Sequence, residues 1–142
     1  MPGALVSLRM KARPKIGTIG EYRFKVEQEH VIDFTSGGMP AVLSTPRLIG
    51  LFERTARESL QPFLEPNERT VGMEIEVRHL APTPLGETVT CTARVIHAEK
   101  SQVTFQIEAR DEHETIARGL HKRAVITVED FARRVARKAA LA

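Results

Sequence analysis

The chain has little cysteine and few aromatic residues. It contains 142 residues with one cysteine, one tyrosine and no tryptophan. A single cysteine excludes an intrachain disulfide and is typical of a reducing compartment. The alternating stretch around Cys91 predicts a small buried apolar residue rather than a nucleophile. Because stacking platforms for unpaired bases are scarce, a small RNA-binding protein is disfavoured, and the pI near 9.4 is its only support.

Long hydrophobic runs are also missing from the sequence. No segment approaches the roughly 18 consecutive apolar residues of a membrane helix. The N-terminal apolar patch at 4–6 is shorter than a signal-peptide core of about 7–15 residues. We therefore expect a cytoplasmic protein without a membrane partner. The hydrophobic content of 42%, the charged content of 27% and the formal charge of +3 fit one globular domain that steers small anions rather than nucleic acid.

Several catalytic and cofactor signatures are lacking. His30, His97, His113 and His121 have no partner at metal-ligand spacing, so no zinc site is expected. There is no glycine-rich phosphate loop and no Gly-x-Ser-x-Gly elbow. The expected chemistry therefore needs no metal and no redox cofactor.

The first forty residues are predicted to contain a lead-in, one strand and a loop. Residues 1–19 contain prolines, glycines and bases, and we expect a poorly ordered lead-in, with Met10 as an alternative start. Residues 20–142 then form a single domain. A first strand is predicted within 21–34, bent near 27–29, and the glycines at 36–40 indicate a loop.

A long amphipathic helix is predicted to follow this loop. Thr45 suits the N-cap, and Pro46 suits the first helical position because its missing N–H would have no partner there anyway. Glu53 lies at the border of the apolar stripe. That stripe gathers residues that share one face at 100° per residue: Leu48, Ile49, Leu51, Phe52, Ala56, Leu60 and Phe63.

Four strands and a second helix complete the pattern. In the first strand, Val71, Met73, Ile75, Val77 and His79 are predicted to share one face. Alternating stretches at 87–98, 102–110 and 115–127 follow after short turns, and the tail from 128 to 142 is helical with Thr127 as its cap. This order predicts an α+β hot-dog fold, in which a curved antiparallel sheet of about five strands wraps a long central helix, with a C-terminal helix added.

Three residues could carry chemistry together. Thr45, Glu53 and His79 supply a hydroxyl, a carboxylate and an imidazole at spacings of eight and twenty-six residues. Taken singly, each has an ordinary explanation as a helix cap, a solvated acid or a satisfied core histidine. Taken together, they are the side chains of an acyl-transfer site.

Three segments of the sequence resemble the fluoroacetyl-CoA thioesterase family of hot-dog proteins. They span 42–53, 77–86 and 119–126, and the phrase His-x-Ala-x-Thr-Pro-x-Gly at 79–86 is the most specific part. The resemblance runs from about residue 16 to the C-terminus. It implies a catalytic set on Thr45, Glu53 and His79, and a backbone N–H of Gly72 near the thioester carbonyl.

The resemblance also implies a substrate and an assembly. It implies that short-chain acyl-CoA thioesters are hydrolysed to free acid and CoA by a homodimer with active sites at the subunit boundary. The namesake of the family places a bulky aromatic gate over its acyl pocket, whereas Met39 stands at the matching position here. Bases should capture the CoA phosphates, with Arg123 the first candidate and Lys122 and Arg47 behind it.

Two other functions remain open from the sequence. A hot-dog module could bind acyl-CoA without catalysis, with Thr45, Glu53 and His79 reduced to capping and packing. A hydratase or dehydratase could act on acyl thioesters with the same fold, because a fold does not fix the reaction.

Overall fold

A computed structural model describes residues 10–141. It confirms the predicted order of a strand, a long helix, four strands and a second helix. Short 3-10 turns at Gln28–His30 and Gln61–Phe63 flank the long helix. The elements are β1 (Ile19–Lys25), α1 (Thr45–Leu60), β2 (Glu68–His79), β3 (Thr88–Glu99), β4 (Gln102–Arg110), β5 (Thr115–Thr127) and α2 (Val128–Ala139).

All five strands form one antiparallel sheet with the order β1-β3-β4-β5-β2. Helix α1 packs against β1, β2 and β3, so the sheet wraps its apolar face as the hot-dog prediction requires. The largest fully buried apolar side chains come from both layers and from the loop before α1: Phe52, Phe105, Leu43, Leu48, Leu60, Ile107 and Ile116. Helix α1 therefore serves two purposes. Its apolar face forms the core, and the border of that face contributes to the candidate site.

The start of α1 differs from the prediction by one residue. Ser44, not Thr45, is the N-cap, and its hydroxyl accepts a hydrogen bond from the Arg47 backbone N–H at 3.3 Å. Thr45 is therefore the first helical residue, followed by Pro46. Because Ser44 satisfies the helix end, the Thr45 hydroxyl is free to bond elsewhere.

A β-bulge in β2 corrects the predicted face of this strand. Gly72 pairs with Arg123 and Glu74 pairs with Lys122, so Met73 is an extra residue in the ladder. The residues that point inward therefore shift by one position at Met73, and the Met73 side chain itself is 50% exposed. The prediction of one uninterrupted period-2 face from Val71 to His79 was wrong, because the bulge brings Gly72 onto the inward face together with His79.

The N-terminal segment is partly attached to the domain. The Lys11 N–H donates to the Phe63 carbonyl and the Gly17 N–H to the Val95 carbonyl, each at 2.8 Å. Met10 packs against the core. Residues 1–9 lie outside the described residues, so the predicted lead-in and the domain boundary at residue 20 stay predictions.

Helix α2 follows β5 directly, with Thr127 at its N-cap as predicted. Its largest apolar residues stay outside the core, since Phe131 and Val135 are 40% and 51% exposed. Among the described residues, no helix is long and apolar enough to cross a membrane.

Candidate active site

Thr45 and His79 are brought together by the folding of α1 against the end of β2. The Thr45 hydroxyl and His79 Nδ1 share a hydrogen bond of 2.7 Å. The other ring nitrogen, Nε2, is buried and has no hydrogen-bond partner among residues 10–141. Burial also lowers the pKa of His79, which favours the neutral imidazole. An unpartnered nitrogen next to a bonded hydroxyl is a group placed for proton transfer.

The loop after β2 explains why these two residues meet. The Thr83 carbonyl accepts a hydrogen bond from the Leu43 N–H at 2.9 Å, two residues before Thr45. The Thr83 hydroxyl donates to Asp111 at 3.0 Å, and Thr83 is fully buried. Thr83 therefore fastens the chain that follows His79 to the chain that precedes Thr45. The threonine in the His-x-Ala-x-Thr-Pro-x-Gly phrase thus has a structural role.

Two cavities open beside the Thr45–His79 pair. A cavity of about 310 Å³ is lined by both residues and by Phe34, Met39 and Leu80. A second cavity, of about 620 Å³, shares Thr45 and Phe34 with the first and includes Arg47, Glu29 and Asp33 in its wall. The first cavity is mainly apolar and suits an acyl group, whereas the second carries charged side chains of both signs.

Glu53 lies in a different place, which we call the Glu53 cluster: Glu53, Thr70, Gly72, His121 and Arg123. Glu53 Oε2 is 3.7 Å from Arg123 Nη1, and the Glu53 side chain is 41% exposed. Arg123 in turn donates to the Thr70 hydroxyl through Nε and to the Thr70 carbonyl through Nη2, each at 2.9 Å. The half-exposed Glu53 carboxylate therefore lies next to the buried guanidinium of Arg123.

Gly72 lets the Glu53 carboxylate lie directly on the backbone of β2. A Cβ atom at Gly72 would stand 2.4 Å from Glu53 Oε2, far inside van der Waals contact. No residue other than glycine fits there without moving the carboxylate. The sequence placed Gly72 in the site, and the structure supplies this second reason for a glycine.

Two predicted roles need correction. Arg123 is only 3% exposed and its donors are engaged within the Glu53 cluster, so it is not placed to reach a CoA phosphate from this position. Within the implied catalytic set one would also expect Thr45 to hold the Glu53 carboxylate, but the Thr45 hydroxyl bonds to His79. Thr45 and Glu53 are eight positions apart on α1, which corresponds to a rise of about 12 Å along the helix axis.

Comparison with known proteins identifies the family. The sequence profile of the fluoroacetyl-CoA-specific thioesterase family matches residues 26–129. The chain belongs to this family. A fluoroacetyl-CoA thioesterase from Streptantibioticus cattleyicolor is 38% identical over 99 residues, which cover 70% of this chain and 71% of that protein.

Solved structures agree with this family assignment. A variant of the fluoroacetyl-CoA-specific thioesterase FlK in complex with fluoroacetate and CoA is 31% identical, with a TM-score of 0.76 over 83% of this chain and 99% of that one. A hot-dog-like protein from Thermanaerovibrio acidaminovorans is 29% identical, with a TM-score of 0.80 over 87% and 91% of the two chains. The hot-dog fold predicted from the sequence is therefore confirmed.

Two members of the Glu53 cluster were not predicted from the sequence, whereas the role of Cys91 was. His121 and Thr70 belong to the Glu53 cluster, although His121 has no partner at metal-ligand spacing in the sequence and therefore carried no expected role. The signal in the sequence was that His121 and Arg123 are two residues apart, and hence on one face, in a strand with apolar inward neighbours.

Cys91 is fully buried, and burial raises its pKa to about 12, which confirms the prediction of a packing residue.

Proposed function

We propose that this protein hydrolyses short-chain acyl-CoA thioesters to free acid and CoA. The observation that carries the proposal is the Thr45–His79 hydrogen bond beside an apolar cavity, with His79 Nε2 buried and unpartnered within the described chain. Membership in a thioesterase family supports the reaction class. No metal and no redox cofactor takes part in the proposal, and a cytoplasmic location stays a prediction from composition.

The active site in this proposal is completed by a second copy of the chain. β2 is an edge strand of twelve residues, and within residues 10–141 no strand pairs with its outer side. Such an edge is a template for another strand. The two halves of the catalytic set lie at different positions along this same strand, with Gly72 near Glu53 and His79 near Thr45.

A two-fold pairing of β2 with the partner's β2 brings the two halves together. If the axis passes Glu76, Arg78 lies opposite the partner's Glu74, and His79 lies opposite the bulge that contains the partner's Gly72. At the bulge, two residues of one strand lie opposite a single residue of the other strand. The partner's Gly72 and His79 therefore point to the same face of the sheet. Each dimer would thus hold two identical sites, as an isologous interface requires.

The residues then take the following roles in the proposed reaction. The Glu53 carboxylate attacks the thioester carbonyl carbon, or removes a proton from a water that attacks it. Negative charge develops on the carbonyl oxygen, and the Gly72 N–H is the proposed donor that stabilises it. The carbon–sulfur bond breaks and CoA leaves as its thiolate. His79, which is neutral at rest, accepts the proton of the water that enters the reaction, directly or by way of Glu53, and passes it to the thiolate. If Glu53 is the nucleophile, water then hydrolyses the anhydride and releases the acid.

The CoA phosphates require exposed cations in this proposal. Arg47 is exposed, lies in the wall of the larger cavity and is two residues from Thr45. We therefore place the phosphates toward Arg47, in preference to the buried Arg123. This choice puts the acyl group in the apolar cavity and the CoA chain in the larger one, with the phosphates at Arg47 and away from Glu29 and Asp33.

The proposed selectivity follows from the loop that ends at Met39. Met39 is 42% exposed and lines the apolar cavity at the position where the namesake of the family has an aromatic gate. Methionine is flexible and fits ligands of different shapes. Since binding discriminates one methylene by only about 1–3 kcal/mol, we expect several short acyl chains to be hydrolysed at similar kcat/KM, without a large preference for fluoroacetyl-CoA over acetyl-CoA.

A panel of acyl-CoA esters tests both the function and its selectivity. Release of free thiol is measured with a thiol reagent for acetyl-, propionyl-, butyryl- and fluoroacetyl-CoA, and hydration of an enoyl-CoA is followed in parallel. Binding of CoA esters without thiol release would favour the non-catalytic module, and hydration without thiol release would favour the hydratase. A preference of many thousand-fold for fluoroacetyl-CoA would contradict the role given to Met39.

A further inference from the structure

His121 is a buried histidine for which the proposed reaction has no role. It is 1% exposed and lies on β5, paired with Ile75 of β2 and Phe105 of β4. Its ring stacks on the Phe105 ring, with the two centroids 6.3 Å apart. A buried imidazole loses stability unless its two nitrogens are satisfied, so the partners of His121 identify its protonation state.

Both ring nitrogens of His121 have partners, and only one tautomer suits them. Nε2 is 3.2 Å from Arg123 Nη1, and because a guanidinium can only donate, Nε2 must accept. Nδ1 is 2.9 Å from the Glu74 carbonyl, and because a carbonyl can only accept, Nδ1 must carry the proton. The neutral imidazole with its proton on Nδ1 therefore satisfies every group. Burial lowers the pKa of His121, and the charge of Arg123 lowers it further, which is consistent with a neutral ring.

One partner of His121 contacts the Glu53 carboxylate, and the other is next to the backbone on which that carboxylate lies. Glu74 lies immediately after the bulge that sets the position of Gly72. Arg123 is the cation beneath Glu53. A Cβ atom at Gly72 would lie 3.5 Å from His121 Cε1 and 3.6 Å from Arg123 Nη1, so the backbone, the imidazole and the guanidinium converge on one point.

We propose that His121 is a positioning residue that fixes the Glu53 carboxylate by joining the β2 bulge to Arg123. This inference rests on the proposed hydrolysis, in which Glu53 acts on the thioester. His121 touches neither substrate nor the reacting atoms. Its Nδ1 donates to the Glu74 carbonyl beside the bulge, and its Nε2 accepts from Arg123. These two bonds set where the Glu53 carboxylate lies on Gly72.

The kinetic test compares three variants. His121→Phe keeps a ring against Phe105 but loses both hydrogen bonds, and we expect kcat to fall about 10- to 100-fold, since a misplaced catalytic group costs on this order, while KM changes little. His121→Asn keeps an N–H toward the Glu74 carbonyl and should lose less. Ile107→Ala, a buried β4 substitution outside the cluster, is the matched control that lowers Tm but leaves kcat per folded molecule unchanged.

A kcat of His121→Phe equal to that of the wild type, or a loss explained entirely by its unfolded fraction, would overturn the proposal. An activity-independent measurement accompanies these kinetics. Nitrogen NMR of protein with ¹⁵N-labelled histidine, assigned with the His121→Asn spectrum, should show a neutral ring protonated on Nδ1 at pH 7. A proton on Nε2, or on both nitrogens, would also overturn it. If the wild type released no thiol, the proposed function would fail, whereas the NMR result would still decide what His121 holds.

Discussion

Replacing Glu53 by glutamine, or His79 by asparagine, should lower kcat/KM by about 10² to 10⁴-fold, the scale of a positioned acid–base or nucleophilic group. The glutamine removes the only carboxylate of the proposed set without changing side-chain volume. The asparagine removes the ring nitrogen Nε2 that has no partner in the described chain. Thr45→Val should lose less activity, because the Thr45 hydroxyl orients His79 and does not itself react. The measurement is steady-state thiol release with an acyl-CoA that the wild type hydrolyses.

Matched controls separate this effect from a general loss of charge. Glu58→Gln changes an exposed glutamate of the same helix that pairs with Arg54, and His97→Asn changes an exposed histidine that pairs with Glu99. Both controls should keep wild-type kcat/KM within about twofold, since exposed ion pairs contribute little. All variants should keep their Tm close to that of the wild type. Wild-type rates in both Glu53→Gln and His79→Asn would remove these residues from the site.

Gly72→Ala should lower kcat/KM by about 10²-fold, although it adds one methyl group and no charge. The new Cβ would stand 2.4 Å from Glu53 Oε2, so the carboxylate must move away from the backbone. A displacement of about 1 Å of a catalytic group can cost this factor. Because the Glu53 side chain is half-exposed, the carboxylate can move outward without unfolding the protein. The loss should therefore appear in kcat more than in Tm.

Gly50→Ala is the control for this substitution. Gly50 lies on the same helix as Glu53, and a Cβ there meets nothing within 4 Å. Alanine inside a helix is more stable than glycine by roughly 0.5–1 kcal/mol, so this variant should be at least as stable as the wild type and equally active. A Gly72→Ala variant as active as Gly50→Ala would mean that the Glu53 carboxylate does not work from its place on Gly72.

Much of the fold could be predicted because local patterns and long-range packing agree. The apolar stripe of α1 matches the buried residues Leu48, Phe52, Ala56 and Leu60, since a 3.6-residue period has one way to face a sheet. β4 alternates along its whole length as predicted, whereas the alternation of β3 is broken at Ile96–His97 and that of β5 at Ile116–Ala117. The bulge at Met73 could not be predicted, because an extra residue in the ladder is a property of the pairing with β5 and leaves no mark on a period-2 count.

The candidate site was only partly predictable for a related reason. Sequence spacing indicated which residue types take part, but it could not tell that Ser44 caps α1 and leaves the Thr45 hydroxyl to His79. It also suggested an exposed Arg123, whereas the pairing of β2 with β5 buries that side chain beneath Glu53. The Thr45–His79 bond and the burial of Arg123 depend on contacts between elements far apart in the sequence, whereas the Ser44 cap is a local contact with Arg47. His121 was missed because its partners, Glu74 and Arg123, become neighbours only through the sheet.

The central claim is that one active site combines Glu53 of one copy with Thr45 and His79 of another. A mixed dimer tests it most directly: Glu53→Gln and His79→Asn chains carry different affinity tags, are coexpressed, and are purified through both tags. One of its two sites would then contain the intact residues of each chain, and the other site would contain both substitutions. We predict about half of the wild-type rate per dimer, because an isologous dimer holds two equivalent sites, against the near-complete loss in each parent homodimer. A mixed dimer no more active than its parents, or a protein that forms no dimer at all, would contradict the account.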